Sequence, residues 1–358
     1  MIITILRDKH KGKNRKNKLR YFIPFLVYQM NLFFTVLWKI FQKRKSFSII
    51  HCIEAGSWLS LYSVLIGKMF NKKTILEMTM LNSDDPLSIK NNSNRSLGFL
   101  RYWLFSKADL VVSISPALTE AYKLSHLPIE RLREVPNSVD IKKFMPVNKV
   151  EKINLRRRLG YNENQIIILC VGAIIKRKGI DLLVKSFSKF KDKYNNAILV
   201  LVGPIPIAGN KENTKFYQEY LEIKKLIFDL HLEHFTHLTG IKNNIDEYMK
   251  ISDLFVFLSR KEGLPNVVLE AMATGLPVIT YKIPGISEYV INDRLDGILI
   301  SEENPDRIAY EMEAILKDRE YYQKISINSR NTVLNRFTDQ IVDNQYEKIY
   351  KEFYKINP

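Results

Sequence analysis

The chain of 358 residues has few cysteines, no internal repeat of fixed period and no long low-complexity tract, and each absence excludes a class of protein. Two cysteines are too few for a disulfide-stapled fold, and Cys52 and Cys170 each lie in an apolar, β-branched run. We therefore expect two buried, reduced thiols. Without repeats, solenoid architectures are excluded. Apolar residues make up 46% of the chain, which is typical of a packed globular protein.

An apolar leader is also lacking. Met1–Leu6 is followed at once by charge, so we expect no signal peptide and a cytoplasmic location. The stretch Tyr21–Phe41 is at the lower edge of membrane-spanning length and is interrupted by one proline and three polar residues. A core helix, a helix partly inserted in a membrane surface and a spanning helix all stay open. The interruptions favour the first two over a spanning helix, and of these the core helix is preferred.

Acidic residues are outnumbered: 55 Lys and Arg stand against 38 Asp and Glu, for a net charge of +17. Residues 1–45 hold much of the excess, with twelve basic residues and the single acid Asp8. Such a segment attracts nucleic acid, anionic lipid or a phosphorylated substrate, or it is simply a solvated loop. Since no nucleic-acid reading motif is present, we predict no nucleic-acid partner and favour an anionic membrane surface.

Short β-rich runs alternate with helical patterns along the chain, which predicts an α/β fold of doubly wound parallel sheets with crossover helices. Strands are predicted at Ile2–Leu6, Phe47–Ile53, Thr74–Thr79, Leu110–Ile114, Leu132–Val135, Ile166–Val171, Ala197–Val202, Phe235–Thr239, Leu254–Leu258, Pro277–Thr280 and Gly297–Ile300. Helices are predicted at Tyr21–Phe41, Trp58–Phe70, Leu97–Ser106, Pro116–Lys123, Pro305–Lys317, Tyr321–Phe337 and Thr338–Tyr354.

The length predicts two domains. The turn-forming run Pro136–Asp140, followed by Pro146, breaks the apolar pattern and indicates the crossing between them. We therefore predict an N-terminal domain at 1–145 and a C-terminal domain at 146–337. A final helix at about 338–358 is expected to pack back on the first domain.

One strand, loop and helix form the clearest candidate site. The apolar strand Asp253–Ser259 leads through the loop Arg260–Pro265 into helical spacing over Asn266–Ala273. In parallel α/β sheets, the loops at the carboxyl ends of strands bind ligands. The free N–H groups of the first helical turn favour a phosphate, and Pro265 suits the first helical position.

Two glutamates flank the start of this helix. Glu262 lies just before it, and Glu270 lies within it, one turn past Asn266. A carboxylate that accepts from two adjacent hydroxyls suits ribose recognition, so Glu270 would bind a ribose and Glu262 the hydroxyls of a sugar. The ordinary alternative for either glutamate taken alone is a surface position on a helix.

Residues 262–278, EGLPNVVLEAMATGLPV, resemble the signature of the family 4 (group 1) retaining glycosyltransferases, in which seven residues separate two glutamates. The resemblance covers about residues 47–335 and is of the capsule, O-antigen and exopolysaccharide type. Further matching pieces occur in the family's order at Pro136–Asp140, Val171–Gly172, Lys178–Asp181, Leu201–Gly203, Thr239–Gly240 and Gly285–Glu288.

The resemblance implies a GT-B fold, with two Rossmann-like domains facing across a cleft, the acceptor site in the first and the nucleotide-sugar site in the second. It also implies transfer with retention of anomeric configuration, without metal or cofactor. It assigns the transferred sugar to Glu262, the ribose to Glu270 and the diphosphate to Lys178. Further candidates for the donor site are Gly172, Lys176, Arg177, Gly240, Gly263, Leu264, Pro265, Asn266 and Val267.

The donor side departs from the family at one position. Most relatives carry an Arg after the glycine equivalent to Gly172, where this chain has Ala173. Lys176 or Arg177 would supply the missing charge from the same loop, although a lysine lacks the two-pronged geometry of arginine. Without the surrounding motif, the same basic run would be an ordinary solvated loop.

The first domain departs further. Leu81 and Asn82 occupy the place of a usual His-Gly pair, and the usual first strand and glycine-rich loop have no counterpart ahead of Ile2. We expect either that the first domain lacks that unit, which would leave an exposed sheet edge and a more open donor site, or that the given start lies downstream of the biological one. Three acidic residues are candidates on the acceptor side, although the two that precede Pro86 also suit a turn or a helix cap. They are Glu54, Asp84 and Asp85.

The resemblance implies an enzyme that transfers a sugar from a UDP- or GDP-linked donor to a growing cell-surface glycan, and the basic and aromatic first domain favours a polyprenyl diphosphate lipid as its carrier. We expect it to be peripheral on the inner face of the cytoplasmic membrane. The alternative is a catalytically weak or inactive partner subunit that binds nucleotide sugars and kept the fold after the losses described above.

Overall fold

The computed structural model describes residues 18–91, 97–206 and 215–354, which group into two compact units. The first unit extends to Pro136 and resumes at Asn344, and the second runs from Asn137 to Asp343. Residues 137–145, assigned to the first domain from the sequence, lie in the second unit because Val139 pairs with Thr338. The predicted strand Ile2–Leu6 lies outside the described residues.

The first unit contains a four-stranded parallel sheet with the strand order β1-β2-β3-β4. Its strands are β1 (Ile49–Ile53), β2 (Lys73–Met78), β3 (Leu110–Ser113) and β4 (Leu132–Glu134). Its helices are α1 (Lys18–Lys43), α2 (Trp58–Met69), α3 (Pro86–Asn91), α4 (Gly98–Phe105) and α5 (Pro116–Lys123), and a short 3-10 helix covers Ile129–Arg131. The strands β2 and β3 are almost wholly buried, as expected for a parallel sheet covered on its faces.

Helix α1 includes the stretch whose role stayed open in the sequence. Val36 and Ile40 on one side of α1 are buried in a cluster with Ile66 of α2, and Phe33 and Leu37 pack against it. This side of α1 therefore belongs to the core of the unit. In the parts of the chain that the structure describes, no helix has the length and hydropathy needed to cross a bilayer.

The C-terminal helix α14 (Asp339–Tyr354) contributes its second half to the first unit. Tyr346 donates a hydrogen bond of 2.7 Å from its hydroxyl to the buried Glu77 of β2. The hydroxyl of Tyr350 lies 2.9 Å from Nδ1 of His51 on β1. The hydrogen bond from Tyr346 satisfies a buried carboxylate inside the sheet, which would otherwise destabilise the fold.

The second unit contains a six-stranded parallel sheet with the order β10-β9-β8-β5-β6-β7. Its strands are β5 (Ile166–Val171), β6 (Ala197–Val202), β7 (Thr236–Gly240), β8 (Leu254–Phe257), β9 (Val278–Tyr281) and β10 (Ile298–Ile300). Its helices are α6 (Lys149–Arg158), α7 (Ile180–Lys191), α8 (Lys215–Asp229), α9 (Ile245–Ile251), α10 (Asn266–Ala273), α11 (Ser287–Val290), α12 (Pro305–Lys317) and α13 (Arg319–Arg336), and a 3-10 turn covers Lys176–Lys178.

The predicted α/β class with parallel sheets is confirmed. Each predicted strand from Phe47 onward is present, with ends that differ from the prediction by at most two residues. Cys52 and Cys170 are free and buried, as expected, and burial raises the pKa of each thiol to about 12.

The pairing of β5 with β8 places the candidate site. Ile168 is in register with Leu254, so the two neighbouring strands end at the same edge of the sheet. The turn that follows β5 therefore lies against the loop that follows β8. Gly179 ends this turn with φ +71°, and a Cβ there would overlap the carbonyl oxygen of Leu258. Only glycine permits both this backbone conformation and this close approach.

We expect Gly179→Ala to destabilise the second unit by about 2 to 4 kcal/mol, since it adds a backbone clash to left-handed strain. Gly160→Ala is the matched control, because Gly160 also has a left-handed backbone, φ +81°, but its Cβ would meet open space. That control should lose only about 1 kcal/mol. Urea unfolding followed by far-UV circular dichroism measures both, and equal losses would contradict the close approach.

Candidate functional site

A buried ion pair lies where β5 and β8 end. Lys178, in the turn after β5, donates from Nζ to Oε1 of Glu262, in the loop after β8, at 2.5 Å. Ser259 donates to the same oxygen, also at 2.5 Å. The ammonium of Lys178 additionally lies 5.0 Å from the centre of the Phe257 ring. The structure thus brings together the first predicted glutamate and the predicted lysine, and adds a serine that the sequence did not single out.

Helix α10 starts directly beside this pair. Pro265 is its cap residue and Asn266 its first helical residue, so the prediction of Pro265 in the first helical position is wrong by one residue. Among the described residues, the N–H groups of Asn266 and Val267 find no acceptor. The side-chain amide of Asn137 donates to Oδ1 of Asn266 at 2.5 Å and to the carbonyl of Leu264 at 3.3 Å. These bonds hold the loop Gly263–Pro265 in front of the helix.

Glu270 lies one turn along α10 from Asn266, and its side chain is half-buried. Its carboxylate makes no hydrogen bond or ion pair within the residues that the structure describes. Burial raises the pKa of Glu270, and the positive charge of Lys143 opposes that shift. A desolvated carboxylate without a partner is costly to the fold and is ready to accept hydrogen bonds from a ligand.

The other two cations of the turn have different surroundings. The guanidinium of Arg177 donates to the carbonyl of Lys261 at 2.8 Å and lies 3.8 Å from Glu262, so it belongs to the same cluster. Lys176 is exposed, and its ammonium forms an ion pair of 2.6 Å with Glu222 of α8. Arg177 therefore lies at the site, whereas the side chain of Lys176 is directed away from it and pairs with α8. Nothing in the sequence pattern indicated that pairing.

Backbone groups of three glycines line the same edge. Gly172 follows β5 and donates its N–H to the carbonyl of Val202 at 2.8 Å. Gly203 follows β6 and donates to the carbonyl of Gly240, the last residue of β7, at 3.0 Å. The predicted candidates Gly172 and Gly240 are thus joined through Gly203 at one end of the sheet. Ala173 follows Gly172 in the loop where the family usually has an arginine.

Arg260 links the two loops of the site and was missed from the sequence. Its guanidinium contacts both carboxylate oxygens of Asp181 at 2.9 and 3.2 Å and those of Glu303 at 2.5 and 2.7 Å. It also donates to the carbonyl of Lys176, and its backbone N–H donates to the carbonyl of Arg177 at 3.0 Å. The turn that carries Lys178 is therefore tied to the loop that carries Glu262.

The acceptor-side candidates lie at the carboxyl ends of β1 and β2 in the first unit. Asp85 accepts from the N–H of Ser88 at 2.9 Å and so caps α3, which is the structural alternative weighed for it. Asp84 accepts from the hydroxyl of Thr79 at 2.7 Å. Both aspartates are buried, whereas Glu54 is half-buried and has a left-handed backbone, φ 61°. In the described ranges, no group of three or more His, Cys, Asp or Glu could hold a metal ion.

The family described as "Glycosyl transferases group 1" matches residues 151–332, which include Gly172, Lys178, Glu262 and Glu270 of the site. N-acetyl-alpha-D-glucosaminyl L-malate synthase of Bacillus anthracis is 28% identical over 315 residues, which span 86% of this chain and 75% of that protein. The capsular polysaccharide biosynthesis glycosyltransferase CapM of Staphylococcus aureus is 28% identical over 257 residues, which span 70% and 63% of the two chains.

A solved structure shares the fold. The crystal structure of Anabaena HepE in complex with UDP and glucose superposes with a TM-score of 0.74 at 19% identity, and covers 88% of this chain and 80% of that one. The two Rossmann-like units described above are therefore those of the GT-B class, as the resemblance implied.

We expect Arg260→Lys to loosen both loops, because a lysine keeps the charge but cannot bind two carboxylates with a planar fork. Amide hydrogen exchange should accelerate in residues 172–180 and 258–265, with about 1 kcal/mol lost from the free energy of unfolding. Arg157→Lys is the matched control, since Arg157 binds Glu163 in an exposed pair outside the site. Unchanged exchange in both segments would show that Arg260 does not hold them.

Glu270→Gln should stabilise the folded chain at neutral pH. Because the pKa of Glu270 is raised in the fold, the folded chain binds this proton more tightly, so stability is lost as pH rises through that pKa. The difference in free energy of unfolding between Glu270→Gln and wild type should therefore become smaller as pH falls below the ordinary pKa of glutamate. Thermal unfolding of both chains at neutral and at acidic pH measures this difference. A Glu270→Gln variant that is less stable than wild type at neutral pH would contradict the prediction.

Glu313→Gln serves as the control of opposite sign. A hydrogen bond from Lys193 lowers the pKa of Glu313. The ionised Glu313 therefore stabilises the fold at neutral pH, and this stabilisation is lost as pH falls. That variant should be slightly less stable than wild type at neutral pH, and the effect should be small because the pair is on the surface.

Proposed function

The chain belongs to the group 1 glycosyltransferases, and from this premise we propose that it transfers a sugar from a UDP- or GDP-linked donor with retention of anomeric configuration. One observation supports this most: Glu270 presents an unpartnered, half-buried carboxylate one helical turn from the free N–H groups that begin α10, within the described residues. A polyhydroxylated ligand with an attached phosphate complements this combination.

The donor nucleotide would lie along the start of α10. Asn266 and Glu270 are four residues apart and so share one face of the helix. The free N–H groups of Asn266 and Val267 and the helix dipole favour the diphosphate. The carboxylate of Glu270 then accepts from the two ribose hydroxyls, as the resemblance implied.

Lys178 changes partners in the proposed mechanism. Its ammonium binds Glu262 in the described structure, and the diphosphate of the donor brings a larger negative charge to the same place. When the diphosphate takes over the ammonium, the carboxylate of Glu262 becomes available to hydroxyls of the transferred sugar. Breaking the glycosidic bond places more negative charge on the departing diphosphate, which Lys178 and the start of α10 stabilise.

The acceptor is proposed to be a growing cell-surface glycan on a polyprenyl diphosphate lipid, met at an anionic membrane surface. The net charge of +17 supports such a surface, and CapM is named for capsular polysaccharide biosynthesis. Another relative is named as an N-acetyl-alpha-D-glucosaminyl L-malate synthase, so acceptors differ within the family and the glycan acceptor is a proposal separate from the donor site. We further propose that transfer needs no metal ion.

A second candidate function rests on Ala173. This residue replaces the cation that the family usually places on the diphosphate, and Lys176 is engaged by Glu222 instead. A chain with this loop would bind nucleotide sugars and transfer them poorly, as a partner subunit. Donor binding without turnover would identify that case.

The test is a panel of UDP- and GDP-sugars, with binding measured by calorimetry and transfer by release of the nucleoside diphosphate, with and without EDTA. Glu270→Ala should weaken donor binding about ten- to a hundredfold, because it removes a charge-assisted hydrogen bond to the donor. Lys178→Ala should lower turnover about a hundredfold or more. The matched controls Glu313→Ala and Lys193→Ala break a surface ion pair and should change neither quantity. Donor binding that neither site substitution weakens would refute the site.

A further inference from the structure

Helix α1 carries a continuous apolar stripe on its exposed side. The stripe consists of Val27, Met30, Phe34, Trp38 and Phe41, each between 41% and 59% exposed. Their spacings of three and four residues place all five on one face of the helix. We call this face the α1 stripe.

The α1 stripe is opposite the side of α1 that packs in the core. Val36 and Ile40 are buried against Ile66 of α2, and the buried Gln29 accepts a hydrogen bond of 3.0 Å from the hydroxyl of Tyr62. The helix is thus held on the unit by one side, and its axis runs along the unit's surface. Large apolar side chains in a contiguous row on the other side mark an interaction surface.

Charge identifies the partner. From Lys18 to Ile53 the sequence contains six basic residues and no acidic one, and the basic residues are Lys18, Arg20, Lys39, Lys43, Arg44 and Lys45. The guanidinium of Arg44 lies 3.9 Å above the Phe41 ring, beside the stripe. A second copy of the chain on this face would bring like charges together. An anionic lipid surface accepts both the cations and the apolar row.

We propose that α1 lies in the plane of an anionic membrane, with the α1 stripe inserted between the lipid headgroups. Trp38 and Phe41, whose rings stack 6.2 Å apart, would lie at the boundary between headgroups and acyl chains, where aromatic side chains are favoured. This inference deepens the proposed function, because it gives the surface at which the unit would meet a lipid-linked acceptor. It stands on the geometry of α1 and can fail separately from the donor site.

The experiment is flotation of the full-length chain with vesicles of phosphatidylcholine alone or mixed with phosphatidylglycerol. Wild type should float with the anionic vesicles and only weakly with the neutral ones. Each basic residue near the membrane surface should raise the affinity for anionic vesicles about fivefold. The double variant Phe34→Glu/Trp38→Glu should bind at least tenfold more weakly. The matched control Phe228→Glu/Ile327→Glu alters two side chains of the second unit that are 64% and 61% exposed, and should float like wild type. Equal flotation of the two double variants would overturn the proposal.

Trp38→Phe keeps an apolar residue in the stripe and supplies a second readout. Vesicle binding should persist, while most of the blue shift of tryptophan fluorescence should disappear, because the tryptophan assigned to lipid has been removed. A blue shift that survives in Trp38→Phe would overturn the insertion of the stripe. Sedimentation velocity without lipid tests the alternative occupant: a wild-type dimer that becomes a monomer in Phe34→Glu/Trp38→Glu would assign the stripe to a second copy and also overturn it.

Donor binding in the absence of lipid separates the two proposals. Phe34→Glu/Trp38→Glu should bind the nucleotide sugar like wild type, which also shows that the second unit of the variant is folded. Loss of flotation with intact donor binding supports the membrane face. The opposite result is also distinguishable. If wild type floats with anionic vesicles but Glu270→Ala binds donors as well as wild type does, the proposed donor site is refuted and the membrane proposal for the α1 stripe is retained.

Discussion

The parallel pairing of β5 with β8 is the constraint on which the candidate site depends. Because these strands are neighbours in the sheet although far apart in sequence, the turn 172–179 and the loop 258–265 leave the same edge side by side. Gly179 permits the approach and Arg260 holds the two segments together. Only in that arrangement do Lys178 and Glu262 meet.

The site combines a satisfied pair with an unsatisfied carboxylate. Lys178 and Glu262 neutralise each other in a place with little solvent, so neither is left as an isolated buried charge. Glu270 has no such partner among the described residues, and burial therefore raises its pKa. A fold selected for stability alone would replace that carboxylate. Its presence beside the free N–H groups of α10 is the physical reason for assigning it to a ligand.

The basic charge of the chain is distributed differently in the two units. In the second unit, each cation around the site contacts at least one carboxylate, such as Lys176 with Glu222 and Arg260 with Asp181 and Glu303. In the first unit, residues 18–53 contain six basic residues and no acidic one, and Arg44 lies beside Phe41 of the α1 stripe. Paired charges organise loops, whereas an unbalanced segment attracts an anionic surface.

The sequence by itself determined the α/β class, the strands β5 and β6 to the residue, and the contents of the loop and helix around Glu262 and Glu270, because periodicity and turn formers are local properties. It could not show that Lys176 turns to Glu222, that Arg260 holds both loops, or that Asn137 fixes the start of α10. Nor could it tell which side of α1 faces solvent. Each of these depends on side chains distant in sequence, and only the tertiary structure brings such side chains within hydrogen-bond or packing distance.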